Sequence, residues 1–279
     1  MFTSFGPSDV GVDRPFPEAA RLAADCGFDA IAVDTEYLTE HGPDAYADVL
    51  DEHGLRTGAM SLPVDVAGDE DDYRESLDAL PTVAEAAAAV GVDRATTYLM
   101  SFSDERPFEE NFAFHRERLE PVAEVLADHG IDLGLEYLGP ATLRAGHDYE
   151  FVHTAEGMVE LCEAVGESVG LLLDSWHWYT AGESAAVVES LDAADVVAVH
   201  LNDAPEGIAR DEQTDTVRRL PGETGVIDLT GFLGALDSIG YDGPVMAEPF
   251  SDDVDAMADA DAARETMAAL ERVFERAGV

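Results

Sequence analysis

The sequence predicts an α/β fold closed into a single (β/α)8 barrel, and three observations lead there. Short apolar, β-branched runs alternate with amphipathic stretches along the whole chain, the pattern of a parallel sheet with helical crossovers. Eight such units follow one another without a break in composition. The 279 residues also suit one barrel of roughly 250 residues. A doubly wound open sheet competes with this reading, but its GxGxxG turn after the first strand is missing. One domain over 1–279 is expected.

Taken in order, the strands are expected at Phe2–Phe5, Ala30–Val33, Thr57–Ser61, Ala95–Phe102, Leu133–Tyr137, Gly170–Asp174, Val196–His200 and Val245–Glu248. Helical patterns start near Pro17, Pro43, Asp72, Glu110, Thr154, Glu183, Leu229 and Val254. Pro17 and Pro43 suit a first helical turn, where the N–H that proline lacks would have no partner. Gly27, Gly54, Gly91, Gly130, Gly166 and Gly240 each precede the next strand by a few residues, as helix-closing glycines do.

Charge excludes several classes of function. Sixty acidic residues face 15 basic ones, a net charge of −45, and such a surface repels nucleic acid and anionic membrane. All 15 basic residues are arginine. Without lysine there is no Schiff-base aldolase, no pyridoxal phosphate enzyme and no ordinary P-loop. Hydrophobic content of 46% rules out a disordered acidic polymer, so the acidity is read as solvation of an ordinary fold, as in adaptation to molar salt. No apolar run approaches the roughly 18 residues that span a bilayer, and MFTSFGPSDVGVD lacks the marks of a signal peptide. A soluble, cytoplasmic protein is expected. Cys26 and Cys162 fall in helix-like stretches and are read as packed thiols, with neither a disulfide nor a thiolate zinc site.

In barrels of this kind chemistry gathers at the carboxyl ends of the strands. The last four strands each end on a metal-competent side chain: Glu136 in IDLGLEY, Asp174 in VGLLLDS, His200 in VVAVHLND and Glu248 in PVMAEPF. Three carboxylates so close would repel unless a cation or protons neutralised them, which points to one divalent metal. Oxygen-rich donors with one imidazole suit Mn²⁺ first, with Mg²⁺, Co²⁺ or Zn²⁺ as alternatives.

These residues resemble the xylose isomerase-like TIM barrels, which include ketose 3-epimerases, inosose isomerases, dehydratases and endonuclease IV. The resemblance covers essentially the whole chain and is sharpest from Leu133 onward. GLEYLGP, VGLLLDSWHWYTAGESAAVVESL, VHLNDAP and RRLPGETGVIDL are most similar to the inosose isomerase branch. It implies Glu136, Asp174, His200 and Glu248 as metal ligands, His177 as a group on a substrate oxygen, and Arg218 as the arginine before the Pro-Gly turn. PGETG carries one residue more than the usual PGEG, so Arg219 could take that place instead. The implied chemistry is loss of a proton alpha to a carbonyl, with a metal stabilising the enediolate. Glu136 and Glu248 are the implied catalytic acid and base. An isomerase or epimerase of a ketose or keto-cyclitol is expected, acting on a small polyol or sugar; a dehydratase of inosose or 3-dehydroshikimate is the alternative. An endonuclease IV-like nuclease is remote, because MSLPVD and TYLMSFS supply no further histidines and the charge opposes DNA. Whether the substrate is phosphorylated stays open, as does assembly into a homo-oligomer.

Other groups are read more cautiously. Asp203 in HLND is either a partner fixing the His200 imidazole or a loop residue. Trp176, Trp178, Tyr98, Phe102 and Phe250 either wall a sugar ring or pack in the core. His41, His53, His115 and His129 are assigned to helices and helix ends. The stretch 144–153, with His147, could partly cover the site.

The composition predicts salt dependence. Carboxylate repulsion destabilises the compact chain at low ionic strength, and a Debye length of about 3 Å at 1 M salt relieves it. The melting temperature should therefore climb steadily in KCl from dilute to molar, with divalent ion saturating throughout. A flat profile would show that the acidic face is merely solvated.

Overall fold

The computed structural model describes residues 1–279 and has eight parallel strands closed into a barrel. They are β1 (Phe2–Phe5), β2 (Ala30–Val33), β3 (Arg56–Ser61), β4 (Arg94–Leu99), β5 (Asp132–Tyr137), β6 (Val169–Asp174), β7 (Val196–Leu201) and β8 (Pro244–Ala247). Each strand pairs with its neighbours in sequence, and β8 closes on β1, Thr3 lying opposite Val245. Around them run α1 (Phe16–Cys26), α2 (Thr35–His53), α3 (Glu70–Ala89), α4 (Phe108–Asp128) and α5 (Ala155–Val165). The ring continues with α6 (Ser175–Ala181), α7 (Ala185–Glu189), α8 (Leu229–Ile239) and α9 (Asp259–Ala277). One apolar cluster of 65 buried residues joins strands to helices. No helix is long and apolar enough to cross a membrane.

Four boundaries differ from the sequence reading, each for a local reason. The fourth strand stops at Leu99, and Phe102–Ser103 instead pairs antiparallel with Tyr149–Glu150, outside the barrel. The second helix begins at Thr35, capped by the Asp34 carboxylate, and bends at Gly42, whose φ of 83° is left-handed; Pro43 opens only its second half. Gly166 follows α5 with an extended φ of 168°, unlike the left-handed Gly27, Gly54 and Gly240. Val254 belongs to a short turn at Asp252–Asp255, and the long last helix starts at Asp259.

Strand periodicity explains where the site lies. Side chains alternate between the two faces of a strand. Leu135, Leu173, Val199 and Ala247 belong to the apolar cluster, so Glu136, Asp174, His200 and Glu248, one residue along in each case, turn to the other face. Register brings them level: Asp174 lies opposite His200, and the Glu248 N–H continues the ladder to the Leu201 carbonyl at 3.0 Å.

The long connection after β7 is tied down by Asp203, which is fully buried. Its Oδ1 accepts the N–H groups of Ala204 at 2.8 Å and Ile227 at 3.0 Å, and its Oδ2 those of Thr224 at 3.0 Å and Gly225 at 2.6 Å. The carboxylate is therefore committed to backbone, and the loop role holds. Its backbone also pairs with that of Arg219, 2.8 Å each way. Asp203→Ala leaves four donors without their acceptor and should lower unfolding free energy by roughly 3 kcal/mol. Chemical denaturation in molar salt measures this, and a change below 1 kcal/mol would mean that water replaces the carboxylate.

Candidate metal centre and active site

Glu136, Asp174, His200 and Glu248 meet at the carboxyl end of the barrel, with one donor atom from each lying within 4.8 Å of all the others. No other group of three or more such side chains gathers in the chain. Asp174 is held hardest. Its Oδ1 caps α6 by accepting the Trp176 N–H, and Asn202 Nδ2 donates to Oδ1 at 3.0 Å and to Oδ2 at 3.2 Å. Asn202 is itself fixed by Ser175, whose Oγ lies 3.0 Å from Oδ1. By contrast, Glu136 Oε1 and His200 Nδ1 are buried with no hydrogen-bond partner, 4.0 Å apart. Buried polar atoms are nearly always satisfied, so two facing orphans among carboxylates suit a cation as their partner.

Arg218 is 1% exposed and lies inside this cluster. Its Nη1 donates to Asp174 Oδ2 at 2.9 Å and to Glu248 Oε2 at 2.6 Å, while Nη2 donates to Asp215 Oδ1 at 3.1 Å. The Phe250 ring covers the guanidinium at 4.6 Å. Arg219 points away: its Nη1 returns to the Arg218 carbonyl at 2.7 Å and its Nε lies 3.8 Å from Glu223. The extra residue in PGETG thus leaves Arg218 as the arginine at the cluster.

His177, on α6, is buried beside it. The Gly139 N–H donates to His177 Nδ1 at 3.2 Å, so in a neutral ring Nε2 carries the proton. That N–H faces Glu136 Oε1 at 3.9 Å and Asp215 Oδ1 at 3.8 Å. The nearby Arg218 Nη2, at 3.3 Å, is then a close approach between two donors. Gly139 is required here, because a Cβ would overlap the His177 carbonyl.

Charge sets the protonation of the group. Burial, then Glu248 and Asp174, push Glu136 well above the usual carboxylate range. Burial would raise Glu248 too, but His200 and Arg218 outweigh it and keep this carboxyl ionised. For His200, burial works against the charge, yet Glu248, Glu136 and Asp174 hold the imidazolium up to about 10. Burial takes His177 down to about 3 and leaves it neutral. Glu136, Asp174, Glu248 and Asp215 against one guanidinium sum to three negative charges when all are ionised; protons on Glu136 and His200 offset two of them in the free protein, and a divalent cation would offset as many.

Three neighbours of the cluster were not singled out in the sequence. Asn202 and Asp215 act through Asp174 and Arg218, and nothing in their spacing reports those contacts. Asp9, in the turn after β1, lines a cavity of about 380 Å³ together with His200 and Glu248. Burial and Glu248 push its carboxyl up to about 7. The aromatic candidates divide. Trp176 and Trp178 are core residues, and Tyr98 stands 57% exposed on the strand beside Glu136. Phe102 stacks on His147 at 3.4 Å, and the His147 Nδ1 contacts Asp104 at 2.9 Å, an outer pair away from the cluster. His41 and His129 contact helix carbonyls, and His115 is buried against Phe151.

The sequence model of the family described as Xylose isomerase-like TIM barrel matches residues 20–273. An inosose isomerase from Bacillus velezensis is 27% identical over 234 residues, covering 80% of this chain and 79% of that one. Among solved structures, a xylose isomerase domain protein from Alicyclobacillus acidocaldarius superposes with a TM-score of 0.91 at 30% identity, covering 100% of both chains. The IOLI protein, solved with a binding zinc atom, has the same fold, with a TM-score of 0.83 at 23% identity over 99% of each chain.

Alanine at Glu136, Asp174, His200 or Glu248 should remove bound divalent metal while the barrel persists, with Asp174→Ala the least stable of the four because it also removes the cap of α6. Elemental analysis and circular dichroism of the four variants test this. Wild-type protein that purifies without divalent metal, and takes up none on titration, would refute it.

Proposed function

Because the chain belongs to the Xylose isomerase-like TIM barrel family, we propose that it is a divalent-metal-dependent isomerase or epimerase of a keto-cyclitol of the inosose kind or of a ketose. One observation carries this reading: four donors converge at the strand ends with two buried polar atoms lacking partners. The similarity to inosose isomerases supports the substrate class. Glu136, Asp174, His200 and Glu248 would hold the ion, Mn²⁺ in the first place and otherwise Mg²⁺, Co²⁺ or Zn²⁺. When bound, it supplies Lewis-acid polarisation of the substrate carbonyl and stabilises the enediolate.

The remaining work falls to side chains. Glu136 and Glu248 would approach the reacting carbons from β5 and from the end of β8, with Asp174 and His200 between them in barrel order. One carboxylate takes the proton from the carbon alpha to the carbonyl, and the other carboxyl returns a proton to carbon: to the opposite face of the same carbon in an epimerase, or to the former carbonyl carbon in an isomerase, where the hydroxyl proton also passes from one oxygen to the other. Protons and electrons balance within the substrate, and no water is consumed. His177 Nε2–H donates to a substrate oxygen, neutral because it is buried. Arg218 orients a second oxygen while it restrains Asp174 and Glu248.

Incubating the Mn²⁺-loaded protein with inososes, ketoses and 3-dehydroshikimate in deuterated molar salt, followed by NMR, tests the reaction class. Deuterium alpha to the carbonyl in a product of unchanged skeleton is the expected result. A product lighter by one water would assign a dehydratase, and no exchange with any of these substrates would end the isomerase reading.

His177→Ala should lower turnover by about 10²–10³, the usual loss for one positioned donor, with bound metal near stoichiometric, whereas Arg218→Ala should lower turnover at least as much and also alter metal binding, because it frees Asp174 and Glu248. Rate and metal content measured on the same samples separate these roles. Undiminished turnover in both variants would remove the proposed contacts to substrate.

A further inference from the structure

The cavity beside the cluster has a chemistry of its own. It lies toward β1 to β4, where Ser4, Ser61 and Thr96 offer hydroxyls and Asp9, Asp13 and Asp34 offer carboxylates. Its single guanidinium, Arg14, is already paired, with Asp259 at 2.5 Å and with Glu18 at 3.7 Å. Asp34 is occupied as the cap of α2, accepting the Tyr37 N–H at 2.8 Å. The Asp9 carboxylate pairs with no other side chain, and it shares the cavity wall with His200 and Glu248.

The backbone holds Asp9 in that position. It sits at the centre of the 3-10 turn Ser8–Val10, its N–H donating to the Gly6 carbonyl at 3.2 Å. Gly6 has no side chain, and a Cβ there would overlap Asp9 Oδ2 and Met246 Sδ. The carboxylate is thus folded back over β1 into space that only glycine leaves free. A fixed carboxylate with no side-chain partner, at the edge of a cavity that touches the metal-ligand cluster, is arranged for a ligand rather than for folding.

We propose that Asp9 is a specificity-determining residue: it binds hydroxyls of an uncharged polyol beside Glu248 and His200, and excludes substrates that carry a phosphate or carboxylate at that end. This rests on the reading of the site as a keto-polyol isomerase and narrows its substrate to neutral compounds. A carboxylate accepts hydrogen bonds from one or two adjacent hydroxyls. Two like charges about 4 Å apart at an effective dielectric constant of about 20 cost roughly two to three powers of ten in affinity. The surface charge of −45 would also repel anions, but over a longer range, and molar salt screens it to about 3 Å. Rejection of anions that persists in molar salt is therefore local.

The test uses Mn²⁺-loaded protein in 2 M KCl at pH 8. Calorimetry compares binding of D-fructose and an inosose with D-fructose 6-phosphate and 3-dehydroshikimate, and turnover is followed by NMR. Wild type should bind the neutral compounds and reject the anionic ones. Asp9→Asn should raise KM for the neutral substrate roughly 10- to 100-fold, the worth of hydrogen bonds to a charged group, with kcat within a few-fold and metal content unchanged. It should also narrow the preference for D-fructose over its 6-phosphate at least tenfold. Gly6→Ala, which displaces the carboxylate without removing it, should shift KM and preference in the same direction. An unaltered preference in Asp9→Asn, equal binding of anions by wild type, or no binding of any neutral compound would overturn the proposal. Absence of turnover with a preference that still depends on Asp9 would refute the isomerase reading alone.

Discussion

Three carboxylates and a histidine buried at one end of a barrel are the constraint around which this molecule is organised. Burying like charges together costs far more than burying an equal number of apolar groups, unless opposite charge is supplied in the same place. Arg218 supplies part of it, bridging Asp174, Glu248 and Asp215, and protons on Glu136 and His200 supply more. The scaffolding follows from this. Asp203 gathers the loop that delivers Arg218, Asn202 fixes Asp174, and Asp174 in turn starts the helix that carries His177. Each polar contact serves the position of another, so the cluster is rigid before any ion or substrate arrives.

Much of the barrel could be read in the sequence because it depends on repeated, local signals. Strand periodicity and the polar residue ending each apolar run placed Glu136, Asp174, His200 and Glu248 within a residue of their observed positions. The fourth strand was read too long because Phe102 continues the apolar pattern, although it leaves the barrel to pair with Glu150. Helix α6 was missed because it is short and begins on Asp174, so no separate start signal precedes it. The roles of Asp215, Asn202 and Asp9 are out of reach of the sequence for a common reason. Each depends on the direction of a side chain in a loop, toward groups up to dozens of residues away, and composition carries no trace of that direction. Arg218 and Arg219 show the same limit: adjacent and chemically alike, they are separated only by the backbone pairing of Arg219 with Asp203.

The acidic surface and the acidic site are different phenomena. Exposed carboxylates sit in water, and salt screens their mutual repulsion. The buried ones are shielded from mobile ions and must be balanced by fixed groups. A chain without lysine has only arginine and histidine for that balance, and both are used here at short range. Guanidinium suits the task better than an ammonium would, since its planar fork reaches Asp174, Glu248 and Asp215 at once.

Phe250 shows how tightly that fork is held. It has a φ of 36°, the one left-handed residue in the chain that is not glycine. A bulky residue in that region carries a cost of order 1–3 kcal/mol and persists only where the surroundings demand it. Here the demands meet on Arg218: the Phe250 carbonyl accepts the Arg218 N–H at 3.3 Å, and the Phe250 ring lies over the guanidinium carbon at 4.6 Å. The strained turn directly follows Glu248, so one backbone distortion sets both the carboxylate and the cation that it pairs with. Relaxing Phe250 to an ordinary conformation would swing its ring or its carbonyl away and free the guanidinium from one side. The strain is therefore the structural expression of the same requirement that opens the cluster: opposite charges must be fixed at hydrogen-bonding distance where most of the surrounding water has been replaced by protein.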